Sequence, residues 1–188
     1  MAAQFCERCG TKLQERLISD KERKACPACD FVYWGDYSIG VGALVMRDDR
    51  LLLVRRSEDP GKGLWTNPGG YCEQTEPLEQ TVVREVKEET GVTARVRHIV
   101  ALRDRAHVIH NLYVVFAMDY VDGEPTPDLV EVDQAGFFTR AEIAHMNVAG
   151  LTRWLVEVAY DKSQGGLAAD RSPHVTAEGN SLFRVVKH

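Results

Sequence analysis

The chain has 188 residues, 44% of them hydrophobic and 27% charged, with 15 glycines and 7 prolines, a composition that excludes disordered, collagen-like and low-complexity classes. Its 28 acidic residues against 23 Lys and Arg give a net charge of −5, which gives no support to a broad basic surface for nucleic acid or an anionic membrane and leaves room only for a local basic cleft. The first residues lack the basic and apolar regions of a signal peptide and no apolar run approaches the ~18 residues of a membrane span, so a cytoplasmic protein without membrane contact is expected.

Residues 1–35 read as a separate small module. Cys6-Glu-Arg-Cys9 and Cys26-Pro-Ala-Cys29 are separated by 16 residues, the spacing of a four-thiolate zinc ribbon. A segment this short needs a staple to fold, and a structural Zn2+ would supply it. Four buried free thiols or a redox pair are the alternatives. Lys12, Arg16, Lys21, Arg23 and Lys24 are largely cancelled by Glu7, Glu15, Asp20 and Glu22, so the ribbon carries no strong nucleic-acid signal.

Residues 36–160 form the main domain. Residues 39–46 read as a buried strand, Asp48-Asp49 as a turn, 51–55 as the hairpin partner and 58–65 as a loop. Arg55 and Arg56 end the hairpin on opposite faces, so that one could grip a substrate phosphate; simple edge charges are the alternative. Trp65 could stack on a base or fill the core. Gly69 and Gly70, after Pro68, let the backbone come close to a ligand. From 77 to 90 the pattern turns helical, with Leu78, Val82 and Val86 at i, i+4 and i+8, Gly91 as a stop, Pro77 at the first helical position and Glu76 before it as a cap. Strands over 94–103, 112–121 and 135–138 and an amphipathic helix over 151–160 follow. Without regular βαβ alternation the fold class is α+β. Residues 161–188, with Gly165-Gly166 and few apolar residues, read as a loosely attached tail.

The helix carries the chemistry. Glu85, Glu88 and Glu89 stand at i, i+3 and i+4, so three carboxylates share one face, and their repulsion calls for a cation. Hard oxygen ligands beside a glycine-rich loop suit Mg2+ or Mn2+ and a phosphate substrate; an ordinary solvated acidic face is the bland alternative.

The wider pattern resembles the Nudix box, Gly-x5-Glu-x7-Arg-Glu-U-x-Glu-Glu-x-Gly-U with U aliphatic, at Gly70, Glu76, Arg84, Glu85, Val86, Glu88, Glu89, Gly91 and Val92. With the cysteine pairs in front, the chain is similar to zinc-ribbon Nudix proteins that act on NADH, ADP-ribose or FAD. The resemblance implies an α/β/α sandwich around a mixed sheet, and Mg2+-dependent hydrolysis of the pyrophosphate bond in a nucleoside diphosphate linked to another moiety. It places Glu85, Glu88 and Glu89 as Mg2+ ligands, Glu76 in the metal shell, Glu88 or Glu89 orienting the attacking water and Arg84 positioning the carboxylates. A further loop acid, metal ligand or general base, falls on Glu131, with Asp133 the weaker choice. Family habit also implies a homodimer.

Three departures bear on the substrate. Thr75 replaces the usual glycine before the first box glutamate, residues 101–108 lack the Ser-Gln-Pro-Trp signature of NADH pyrophosphatases, and Val108 stands where many ADP-ribose pyrophosphatases have proline. A second reading is a nucleotide-sensing or partner-docking module without turnover; the intact acidic triad separates the two.

Overall fold

The computed structural model describes residues 3–161, 165–169 and 183–186. The chain divides into two compact units, residues 1–38 with 105–111, and residues 39–104 with 112–188.

In the first unit, β1 (Gln14–Ile18) and β2 (Lys21–Ala25) form an antiparallel hairpin. Ser19 and Asp20 turn it at φ 51° and 60°, the doubly left-handed turn that matches strand twist. The segments around the cysteine pairs fold back on themselves: Gly10 N–H donates to the Cys6 carbonyl at 2.8 Å, and Cys26 N–H to the Phe31 carbonyl at 2.9 Å. Cys6, Leu13 and Cys26 are buried, with Phe31 and Tyr33 packed against them. The core is small, as expected of a module that needs a staple.

The second unit is organised by β3 (Asp36–Arg47), β4 (Arg50–Arg56), β5 (Trp65–Thr66), α1 (Leu78–Thr90), β6 (Thr93–Arg105), β7 (Ile109–Asp122), β8 (Val132–Thr139), α2 (Arg140–Ile143), α3 (Gly150–Tyr160), β9 (Gly166–Ala169) and β10 (Phe183–Val186). The strands form one sheet in the order β10-β9-β6-β7-β3-β4-β5, with β8 also paired to β4. The strand expected over 135–138 is longer, because β8 runs antiparallel along the whole of β4, from Arg50↔Thr139 to Arg56↔Val132.

Alternation along the central strands divides the core into two layers. Val41, Ala43, Val45, Leu52, Val114, Phe116 and Met118 pack with Val82 and Val86 of α1. Leu44, Leu51, Leu53 and Val115 pack with Leu155, Val156 and Val158 of α3. A helix therefore covers each face of the sheet. Among the described residues, no helix is long and apolar enough to cross a membrane.

Two local expectations change. Gly91 stops α1 in the left-handed conformation at φ 68°, as its position predicts, but α1 begins at Leu78 with Pro77 before it and has no side-chain cap. The Glu76 carboxylate is drawn to Arg84 instead. The described part of the expected tail is ordered into strands: β9 pairs antiparallel with β10 and meets β6 at Ile99↔Leu167. Gly166 has a packing reason for being glycine, since a Cβ there would stand 2.1 Å from the His98 ring.

Candidate active site

Burying Val82 and Val86 leaves Arg84, Glu85 and Glu88 on the neighbouring face of α1. Arg84 is the hub of that face. Its Nε and Nη2 donate to the two Glu76 carboxylate oxygens at 3.1 and 2.9 Å, and its Nη1 donates to Glu85 Oε1 and Glu88 Oε2, both at 2.8 Å. The planar fork of a guanidinium can serve three carboxylates at once, which an ammonium cannot do with the same geometry. Hydrogen bonding to Arg84 holds Glu76 below the usual carboxylate range.

Residues 68–72 run beside β3 like an added strand. Ala43 N–H donates to the Pro68 carbonyl and Val41 N–H to the Gly70 carbonyl, both at 2.8 Å, and Cys72 N–H to the Ile39 carbonyl at 3.0 Å. Gly69 has φ 152°, and a Cβ on it would lie 2.1 Å from the Val41 carbonyl oxygen; a Cβ on Gly70 would lie 2.4 Å from the Glu85 carboxyl carbon. This close approach points the Gly69 N–H at Glu89, whose Oε2 accepts it at 2.8 Å.

Glu89 is 7% exposed. Burial pushes its pKa up to about 8; the Gly69 N–H opposes the shift, and the charges of Glu85, Glu131 and Asp128 add to it. Burial likewise raises Glu85, against the pull of Arg84 and with the charges of Glu88 and Glu131. Glu85 and Glu89 are thus placed where burial disfavours their ionised forms, a disfavour that a bound divalent cation would relieve.

The segment joining β7 to β8 brings Glu131 close enough for its charge to act on both Glu85 and Glu89. Asp133, the weaker choice, is engaged elsewhere: it accepts Arg55 Nε and Nη2 at 2.7 and 2.9 Å.

The family model described as the NUDIX domain matches residues 36–157. The chain belongs to the Nudix family. It is 38% identical over 93 residues to an ADP-ribose pyrophosphatase of Methanocaldococcus jannaschii, covering 46% of this chain and 53% of that protein. It is 31% identical over 155 residues to the NAD-capped RNA hydrolase NudC of Stutzerimonas stutzeri, covering 82% and 55%. The chain spans about half the length of these curated relatives. A crystal structure of a Nudix hydrolase from Nitrosomonas europaea superposes with a TM-score of 0.76 over 87% of this chain and 94% of that one, at 24% identity, a likeness of fold.

Against this Nudix frame, the residues read as substrate-binding divide. Gly69 and Gly70 lie against the carboxylates. Arg55 is committed to Asp133, and Arg56 donates through Nε to the Pro60 carbonyl at 2.9 Å. Trp65 takes the core alternative: its ring meets Phe138 edge-on with centroids 4.9 Å apart, and it packs in the α3 layer.

The four ribbon cysteines converge. Their sulfurs all lie within 4.8 Å of one another, the one such group of metal-ligating atoms among the described residues. Cys6–Cys29, Cys9–Cys26 and Cys9–Cys29 are 3.6, 3.5 and 3.9 Å apart, against the edge of about 3.8 Å in a tetrahedron of thiolates at ~2.3 Å from a metal. These cysteines can hold a metal ion.

Sequence reading missed the support beneath the loop. Buried Asn67 donates through Nδ2 to Tyr113 Oη at 3.1 Å and to the Pro68 carbonyl at 3.2 Å, and its Oδ1 accepts the Thr152 hydroxyl at 3.2 Å. The position of Asn67 directly before Pro68-Gly69-Gly70 is the only local signal, and nothing near Tyr113 or Thr152 in sequence announces the link.

Proposed function

We propose that this chain hydrolyses the pyrophosphate bond of a nucleoside diphosphate linked to another moiety, with ADP-ribose, NADH and FAD as the substrates to test first. The observation that carries the reading is that Glu85 and Glu88 are held by Arg84 while Glu89, on the same helix, is held by the closely approaching backbone of Gly69. The names of its relatives, an ADP-ribose pyrophosphatase and an NAD-capped RNA hydrolase, support the same bond as the target.

Glu85, Glu88 and Glu89, with Glu76 at the margin, would hold Mg2+ or Mn2+. Such an ion supplies charge neutralisation at the pyrophosphate and a water acidified toward neutral pH. Glu88 or Glu89 would orient the attacking water and Glu131 would accept its proton, while the Gly69 and Gly70 backbone shapes the space for the phosphates. Arg84 touches carboxylates rather than substrate and is a positioning residue.

Incubating ADP-ribose, NADH, FAD, diadenosine polyphosphates, nucleotide sugars and nucleoside triphosphates with Mg2+, beside a Glu88→Gln control, tests the reading. Turnover of one class by the native chain, lost in the control, is the expected result. If nothing turns over while a nucleotide raises the melting temperature, the chain is a sensor.

In the ribbon, Cys6, Cys9, Cys26 and Cys29 would hold a structural Zn2+, since four thiolates leave no open position for substrate or water. Stoichiometric zinc in the purified chain is expected. Its removal by a chelator should raise amide exchange through residues 1–38. A metal-free preparation with the same exchange there would refute the assignment.

A further inference from the structure

Residues 128–131, which lead into β8 at buried Val132, are held mainly by polar contacts. Asp128 Oδ1 accepts three backbone N–H groups, from Val130 at 2.9 Å, Glu131 at 3.1 Å and Val132 at 3.0 Å, and its Oδ2 lies 3.3 Å from the Glu131 nitrogen. Leu129 N–H closes the turn on the Val132 carbonyl at 3.0 Å. From the end of β4, Ser57 donates its N–H to the Glu131 carbonyl at 2.9 Å and its hydroxyl to the Val130 carbonyl. Packing contributes little at the tip: Leu129 and Val130 are 74% and 67% exposed. Leu129 also sits at φ 63°, a conformation that a leucine adopts only when its surroundings impose it.

We infer that Asp128 is a positioning residue for Glu131, fixing through its carboxylate oxygens the backbone that carries Glu131. The inference rests on the reading of Glu131 as proton acceptor. Ahead of buried Val132, the tip at Leu129 and Val130 has no apolar anchor of its own, and displacing a general base by about 1 Å costs on the order of 10²-fold in rate. Because the loop is exposed, water can replace Asp128 as the acceptor, so its loss should loosen the loop without unfolding the domain.

Two substitutions separate position from charge. Asp128→Asn removes the negative charge and keeps an oxygen for the three N–H groups; Asp128→Ala removes both. With ADP-ribose and NADH as probes, Asp128→Ala should lower kcat at least about tenfold with KM changed less than about twofold, and Asp128→Asn should recover most of the loss. Asp128→Ala in a Glu131→Gln background should cost nothing further. Amide exchange gives a readout independent of turnover: it should rise at 130–132 in Asp128→Ala, stay near native in Asp128→Asn and be unchanged along α1.

Native exchange at 130–132 in Asp128→Ala overturns the inference. So does an Asp128→Asn variant as slow as Asp128→Ala, because a charge effect would then explain both. Losses that multiply in the double variant overturn it as well. Glu131→Gln with native kcat overturns the reading of Glu131 itself, and the exchange result then reports on the loop alone.

Discussion

Glu89→Gln is expected to lower kcat by ~10²-fold or more while leaving the domain folded. Glutamine has the shape of glutamate and keeps an oxygen to accept the Gly69 N–H. What it loses is a carboxylate in the proposed metal set. The same variant carries a stability signature. Glu89 is raised from an ordinary value of 4.5 to about 8 by burial, so between those values the folded state holds a proton that the unfolded chain releases. Stability of the native chain relative to Glu89→Gln should therefore be greatest near pH 4.5, fall as pH rises and level off above about 8. Mg2+ should reverse that fall by binding the ionised form, raising the melting temperature of the native chain more at the alkaline end and that of the variant less. Melting curves of both proteins across this range, with and without Mg2+, measure it. A variant with native kcat, or a stability difference that ignores pH, would remove Glu89 from the role.

The second large effect falls on the loop. Gly69→Ala places a Cβ 2.1 Å from the Val41 carbonyl oxygen, 2.8 Å from Gly42 Cα and 2.9 Å from Tyr113 Oη, at φ 152°. Two of these neighbours are backbone atoms of β3, which cannot yield as the end of a side chain does. The expected cost is on the order of 3 kcal/mol, or roughly 10 °C in melting temperature, together with loss of turnover as the Gly69 N–H leaves Glu89. The nearest atoms that Gly70→Ala meets belong to the Glu85 carboxylate, a side-chain end, and so it should be milder in stability but still slow. Gly150→Ala, with nothing within 4 Å of the added carbon, is the matched control and should melt within a few degrees of the native chain. Thermal melts and single-substrate kinetics on the three variants decide the point. Equal melting temperatures for Gly69→Ala and Gly150→Ala would mean that β3 yields.

What could be read in advance was local. The apolar spacing of Leu78, Val82 and Val86 and the stop at Gly91 gave α1, and the acidic positions on its face followed from helical geometry. The repeated cysteine spacing anticipated four sulfurs that do converge. Less visible was anything decided by distant partners. Asn67 meets Thr152 across 85 positions and Tyr113 across 46, and no periodicity encodes such a pairing. Arg55 reads as a free cation until Asp133 is placed opposite it. Glu76 has the address of a helix cap, but a guanidinium two helical turns along offers it a stronger bond than an N-terminal amide. β1 and β2 are too charged for an alternation signal and are defined mainly by the turn at Ser19-Asp20. β9 escaped notice because Gly165-Gly166 has the composition of a linker, whereas its second glycine is there for contact with His98.

The bond between Asn67 and Thr152 sets how short a working piece of this chain can be. A fragment cut after β8 would retain all the acidic residues and the arginine of the box. It would nevertheless lack the hydroxyl on α3 that bonds the Asn67 amide oxygen, and that oxygen, on a residue 6% exposed in the intact chain, would turn to other donors. Truncation would also uncover the layer of Leu44, Leu51, Leu53 and Val115 that α3 packs against, so the loop geometry and the fold should fail together although every group that performs chemistry is kept, and the smallest competent piece extends through α3.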